Sequence, residues 1–260
     1  YSNHMMAINV TNGKILWATP FIAHGTVLDV SVPDTHDWDT SWGSSISRVI
    51  LDNNTQEKLV IGHDKMGNVI AMNAVTGKEI WWKSLGKRYN TDSIPSSDGS
   101  GMIWSYGVYS YHAVDSDSLY IAATNRGLNF FTDGISGHKI AAPHTIEQGL
   151  RNGTIFALDL ATGNIKWQYA TKFPPRVSPL ITNSIVFCGY IPFTEKVKSG
   201  VILALDKQTG EKLWEFNVNA PIGPVGPSIG DGLLYVPTGK VQGLTTQGQI
   251  GGSIVAFGLP

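Results

Sequence analysis

Four segments of this chain share one pattern, Ala-x-(Asn/Asp)-x-x-(Thr/Asn)-Gly-x-x-x-Trp, and a repeat of this kind restricts the fold more than any other feature. They are AINVTNGKILW from Ala7 to Trp17, AMNAVTGKEIW from Ala71 to Trp81, ALDLATGNIKW from Ala157 to Trp167 and ALDKQTGEKLW from Ala204 to Trp214. The run before the alanine, such as Gly153–Phe156 or Gly200–Leu203, is apolar on both alternating faces, as in a strand covered on both sides. The Asn or Asp can bond its own backbone two residues on and the glycine supplies a positive φ, so together they specify a hairpin turn. The tryptophan then falls on the returning strand. A ring of that size needs a niche that repeats with it, and alanine is small enough to let a neighbouring indole approach its backbone. Trp17, Trp81, Trp167 and Trp214 therefore read as packing between repeats, not as ligand groups.

The repeat alanines at 7, 71, 157 and 204 are 64, 86 and 47 residues apart, against roughly 40–50 for a four-stranded propeller blade without insertions. Glycine at 29, tryptophan at 8 and only 15% charged residues agree with many short strands joined by tight turns. The expected fold is all-β: a β-propeller of four-stranded antiparallel blades in a single region over 1–260. Complete blades are expected at about 43–83, 104–169 and 176–216, partial ones at 1–17 and 221–257, and irregular insertions near 20–42 and 125–151. The expected strands are Ser47–Leu51, Leu59–His63, Asn68–Asn73 and Glu79–Lys83; Gly107–His112, Ser118–Ala123, Thr154–Leu158 and Ile165–Tyr169; Val177–Ile181, Ser184–Tyr190, Val201–Leu205 and Lys212–Phe216; then Pro224–Ile229, Leu233–Thr238 and Gly252–Phe257. The first unit lacks two strands and the last lacks a returning strand with a tryptophan. The expectation is a part of a larger ring whose remaining blades come from upstream sequence, with a small closed ring as the alternative.

A net charge of −1 with interspersed signs offers no footprint for nucleic acid. Cys188 is the only cysteine, which excludes an intrachain disulfide, a CxxCH haem site and a thiolate zinc cage. No stretch reaches the roughly 18 apolar residues of a membrane span. Low charge and the sequons at Asn9, Asn53 and Asn152 lean towards an exported protein, periplasmic or at the cell surface.

Several further segments carry a likeness to a known family. His36-Asp37-Trp38-Asp39 follows a docking repeat, Gly62–Lys78 holds a lysine before a hairpin, Gly101–Ala123 joins an aromatic segment to a strand pair, and Leu180–Gly189 and Pro221–Gly239 are later hairpins. With the four tryptophan repeats, they resemble the eight-bladed pyrroloquinoline-quinone (PQQ) alcohol and methanol dehydrogenases nearly end to end. The resemblance implies an alcohol or related small substrate, an electron acceptor, PQQ as cofactor and a calcium or lanthanide ion polarising the quinone. It places Lys65 where a cation bonds the quinone oxygens, and Trp104 and Phe187 at aromatic positions near the cofactor. A solvated turn lysine and ordinary blade core are the competing readings of these residues.

Where the pattern departs from that family, the departures bear on chemistry. The family's catalytic aspartate and its metal ligands fall before Tyr1, so no catalytic or metal residue is assigned within the chain, and the segment alone is expected to be inactive. Ile103 stands where the family has an asparagine, and isoleucine cannot hydrogen-bond a cofactor. Asp34, His36, Asp37 and Asp39 form an acid-rich loop whose spacing matches no complete metal loop, so a polar turn is the reading there. The alternative function is a non-catalytic propeller similar to the PQQ-repeat lipoproteins that scaffold outer-membrane assembly, because the repeat is a folding device indifferent to chemistry.

Overall fold

The computed structural model describes residues 4–20, 45–50, 56–63, 67–85, 101–132, 139–142, 152–191, 199–239 and 252–258. All regular structure in them is antiparallel strand. The hairpin of β1 (His4–Ile8) and β2 (Ile15–Pro20) comes first. A four-stranded sheet in chain order follows: β3 (Ser45–Ile50), β4 (Gln56–His63), β5 (Asn68–Asn73) and β6 (Glu79–Ser84). The next sheet holds β7 (Gly101–Val108), β8 (Ala113–Val114), β9 (Ser118–Thr132), β10 (Lys139–Ala142), β11 (Asn152–Asp159) and β12 (Ile165–Thr171). A second four-stranded sheet has β13 (Pro175–Ile181), β14 (Ile185–Tyr190), β15 (Val201–Asp206) and β16 (Lys212–Asn217), and β17 (Ser228–Gly230), β18 (Leu233–Thr238) and β19 (Ser253–Gly258) close the series.

These sheets stack face to face as the blades of a β-propeller, and the strand pleat decides which residue meets which neighbour. On β4 and β5, Val60, Ile70 and Met72 pack with Met5 and Trp17 of the first hairpin. Leu59, Ile61, Val69 and Ala71 point the other way, against Leu119, Ile121, Phe156 and Leu158. Tyr120, Ala122 and Ile155 then meet Val186, Cys188, Leu203 and Leu205, and Val177 and Ile202 meet Leu234 and Val236. The both-faces-apolar runs of the sequence are thus buried on both sides.

Each repeat builds its turn as the residue types require. Asp159 Oδ1 accepts from the Ala161 and Thr162 N–H groups, and Asp206 Oδ1 from those of Gln208 and Thr209. Gly13, Gly77, Gly163 and Gly210 all take a left-handed φ of +70 to +74°, which L side chains rarely adopt. The tryptophan of one sheet then lies on the glycine of the next. A Cβ on Gly77 would come within 2.5 Å of the Trp17 ring, one on Gly163 within 2.7 Å of Trp81, and one on Gly210 within 2.6 Å of Trp167. Each indole N–H donates to the carbonyl at the fourth position of that same turn: Trp17 to Ala74 (3.2 Å), Trp81 to Leu160 (2.8 Å) and Trp167 to Lys207 (2.9 Å). The niche expected beside the alanine is therefore the glycine's. The alanine has another task, pairing directly across the hairpin from its own tryptophan, as Ala71 does with Trp81 and Ala157 with Trp167.

Three strand expectations need revision. Residues 109–112 leave the sheet between β7 and β8, where a strand over Gly107–His112 is expected. The region 125–151 is partly strand, because β9 runs on to Thr132, pairing with β7 on one edge and β10 on the other. Pro224 and Pro227 have no N–H to give a ladder, so the last sheet opens with only Ser228–Gly230. The expected insertion near 20–42, with its acid-rich loop, lies largely outside the described residues.

A half-buried ion pair reinforces one joint. Lys207, whose carbonyl accepts Trp167, places its ammonium 2.8 Å from Asp115 Oδ2, and Tyr120 Oη donates to the same carboxylate at 3.3 Å. Partial burial would raise the Asp115 pKa, but bonds from Lys207 and from the Asp117 and Ser118 N–H groups outweigh it and hold the carboxyl at about 2 rather than 3.8. Tyr120 is pushed up to about 12, chiefly by burial.

Two predictions follow from this packing. Gly13→Ala and Gly163→Ala share the same φ penalty of about 1–2 kcal/mol, but only the second drives a methyl into an indole, since a Cβ on Gly13 meets nothing within 4 Å. Urea unfolding should show Gly163→Ala losing about 1–3 kcal/mol more; equal losses would mean that the indole contact does not constrain the turn. A carboxyl whose folded pKa is depressed stabilises above its unfolded value, and that stability is lost as pH falls from about 3.8 towards 2. Asp115→Asn should remove about 1–2 kcal/mol at pH 6 and about a third of that at pH 2.5, as measured by denaturant midpoints at the two pH values.

Candidate functional site

Polar groups gather where residues 109–112 leave their sheet. The Tyr111 N–H donates to Ser178 Oγ of β13 at 2.9 Å, and the Ser178 hydroxyl donates to the Pro224 carbonyl, so one buried serine links three successive sheets. Gly226 packs on this serine so closely that a Cβ there would be 2.5 Å from the Ser178 carbonyl oxygen. The Arg176 guanidinium lies over the Tyr109 ring at 5.0 Å, a cation–π contact at the start of the same connection.

His63 and His112 meet at this place. Side chains alternate along a strand, so His63 at the end of β4 is in phase with Leu59 and Ile61 and faces the sheet of β7–β12. His112 stands immediately before β8, with its ring 5.0 Å from that of His63 and nearly perpendicular to it at 79°. His63 is 1% exposed, and the ring nitrogens of both residues are buried with no hydrogen-bond partner, as is the Ser110 hydroxyl. Burial, and then the charge of the other ring, hold the His63 pKa well below 6.5, while burial brings His112 down to about 4. Both are neutral at pH 7. Each ring therefore holds one N–H and one lone pair without a partner, a burial that costs about 1–3 kcal/mol per stranded group.

Of the residues that the family likeness singles out, Lys65 lies outside the described residues. Trp104 occupies β7 in register with Gly127 of β9, and its side chain is likewise outside them. Phe187 on β14 pairs with Ala204 and is half-buried with Leu180, Val255 and Phe257 against the cluster of Val177, Ile202 and Val236. Its surroundings are the apolar interface between two sheets, apart from the histidine pair. No group of three or more His, Cys, Asp or Glu suited to a metal occurs among the described residues. The oxygen-rich shell that calcium or a lanthanide requires is not assembled by His63, Ser110 and His112. Phe187, the one candidate aromatic whose side chain is described, presents an apolar ring and no polar group.

The repeat reading missed the histidine pair. The available signal is the phase of His63 with an apolar strand face; nothing local marks His112.

Residues 2–249 match the family described as outer membrane protein assembly factor BamB. The BamB of Yersinia pestis is 29% identical over 141 residues, 51% of this chain and 36% of its own length. Among solved structures, the quinohemoprotein alcohol dehydrogenase of Comamonas testosteroni superposes with a TM-score of 0.68 at 19% identity, over 98% of this chain and 42% of its own. The quinohemoprotein alcohol dehydrogenase ADHIIG of Pseudomonas putida HK5 gives 0.65 at 15%, over 91% and 38%, and a europium-containing methanol dehydrogenase 0.64 at 16%, over 92% and 45%. The chain spans about a third of the curated relative and less than half of each structure. At these identities the structures show the propeller fold.

Ser178→Ala removes the acceptor of the Tyr111 N–H and the donor to the Pro224 carbonyl together. The expected loss is about 1–3 kcal/mol of stability, with faster amide exchange at Tyr111 in hydrogen-exchange measurements; an unchanged midpoint would show that solvent replaces both bonds.

Proposed function

The chain belongs to the PQQ-repeat propeller family described as outer membrane protein assembly factor BamB, and from that membership we propose that it serves as a non-catalytic scaffold, part of an exported propeller that holds other proteins during assembly of the cell envelope. The observation that carries this reading is the family match, which is continuous over residues 2–249. The structure supports it in one respect. Trp17, Trp81 and Trp167 each join two blades, the indole on a glycine and its N–H on a carbonyl of the next sheet, while the alanine and the Asn or Asp shape the hairpin itself. A fold whose signature residues are spent on packing leaves its outer surfaces and connections free to bind partners.

The second reading, a PQQ-dependent dehydrogenase acting on an alcohol in the intact protein, has one observation in its favour. The buried and unpartnered His63 opens the run His63-Asp64-Lys65, in which the family likeness assigns Lys65 to the quinone. In that case PQQ would supply the two-electron chemistry, with calcium or a lanthanide polarising it, and Lys65 would stabilise negative charge on the reduced quinone.

One variant separates the two. In a strain lacking the full-length protein, Lys65→Ala should restore folded envelope β-barrel proteins as well as the wild type does, scored by heat-modifiable mobility on gels. Purified full-length protein supplied with PQQ and calcium or a lanthanide should show no dye-linked alcohol oxidation. Turnover that Lys65→Ala abolishes would overturn the scaffold reading.

A further inference from the structure

The packing leaves the chemistry of His63 and His112 unused. Three other features of the described residues have an evident structural role or none that points to a ligand. The Asp115–Lys207 pair fastens a blade joint, Cys188 is a lone thiol in the core, and the exposed Trp214–Phe216–Phe257 aromatic cluster has nothing that identifies what covers it. The histidine pair differs from these. Its four ring nitrogens are buried without partners, as is the hydroxyl of Ser110 two residues before His112.

The geometry suits a shared ion. Two imidazoles bound to one tetrahedral metal through nitrogens about 2.0–2.1 Å away bring their ring centroids to roughly 5 Å of each other, with planes free to cross steeply. The observed separation is 5.0 Å and the interplanar angle 79°. An imidazole donor set selects borderline ions of the zinc, cobalt, nickel and copper class over calcium or magnesium, which require oxygen. Neutral rings present lone pairs to an ion without first releasing a proton.

We propose that His63 and His112 jointly ligate one divalent transition-metal ion of the zinc class between the sheets of β3–β6 and β7–β12. No third His, Cys, Asp or Glu completes such a group among the described residues. The ion therefore keeps positions for solvent, and it is held more weakly than in a closed four-ligand site. This site is independent of the scaffold reading.

The test uses chelator-treated full-length chain titrated with zinc chloride at neutral pH by calorimetry, and with cobalt chloride by visible absorption. One ion should bind per chain. His63→Gln and His112→Gln should each weaken it more than about tenfold, whereas His4→Gln should leave it unchanged. Because either variant of a buried pair can disturb folding, X-ray absorption on the wild-type zinc complex provides a readout that needs no substitution, and two imidazole nitrogens in the first shell are expected. Absence of binding, a shell of oxygen only, or affinity unaltered in folded His63→Gln and His112→Gln proteins would overturn the proposal.

Discussion

The contact of an indole face with a bare glycine is the constraint on which the rest of the fold depends. It needs three conditions at once: no Cβ on the receiving residue, a left-handed backbone there, and a carbonyl aimed outward for the indole N–H. Gly163 and Leu160 meet them for Trp81, and Gly210 and Lys207 for Trp167. The Asp at the third position makes this possible by bonding two N–H groups of its own turn, so the geometry is set before the tryptophan arrives. Local turn chemistry and inter-sheet packing are therefore one device, and blade stability becomes a matter of nearest neighbours.

The repeat positions were legible because each demand is local. Residues 68–73 show a run apolar on both faces followed by a turn, and the strand Asn68–Asn73 falls where the sequence places it. The indole's destination was not legible, since glycine and alanine are both small and only the register reveals that alanine faces its own tryptophan. Ala256 illustrates the same limit. It pairs with Tyr235 as Ala157 does with Tyr120, at the place of the repeat's first position. The far half of β9 escaped notice because Asn125–Asn129 is rich in polar residues and glycine. Its strand character comes from backbone pairing on two edges, which leaves no hydrophobic period to read.

The candidate site was less legible than the fold, for a related reason. Burial of His63 is foreshadowed by its phase with Leu59 and Ile61, but the depressed basicity of both rings comes chiefly from burial, which for His112 arises only when two sheets stack. A histidine in a connection reads as solvated until its neighbours are known. Phe187, an aromatic in a segment resembling a cofactor-lining one, packs half-buried in an apolar interface with Val255 and Phe257.

Packing by repetition also governs where chemistry can reside. The middle of each strand is committed on both faces to neighbouring sheets, so a polar group there would be stranded between apolar layers. The strand ends and the short connections escape that commitment. Ser178, Ser110, His112 and His63 all lie near a place where one chain segment leaves its sheet to touch the next. The tryptophan repeat thus fixes a frame without specifying a reaction, and the distinction between a scaffold and an enzyme in this family must be sought in the few residues that the frame leaves unpaired.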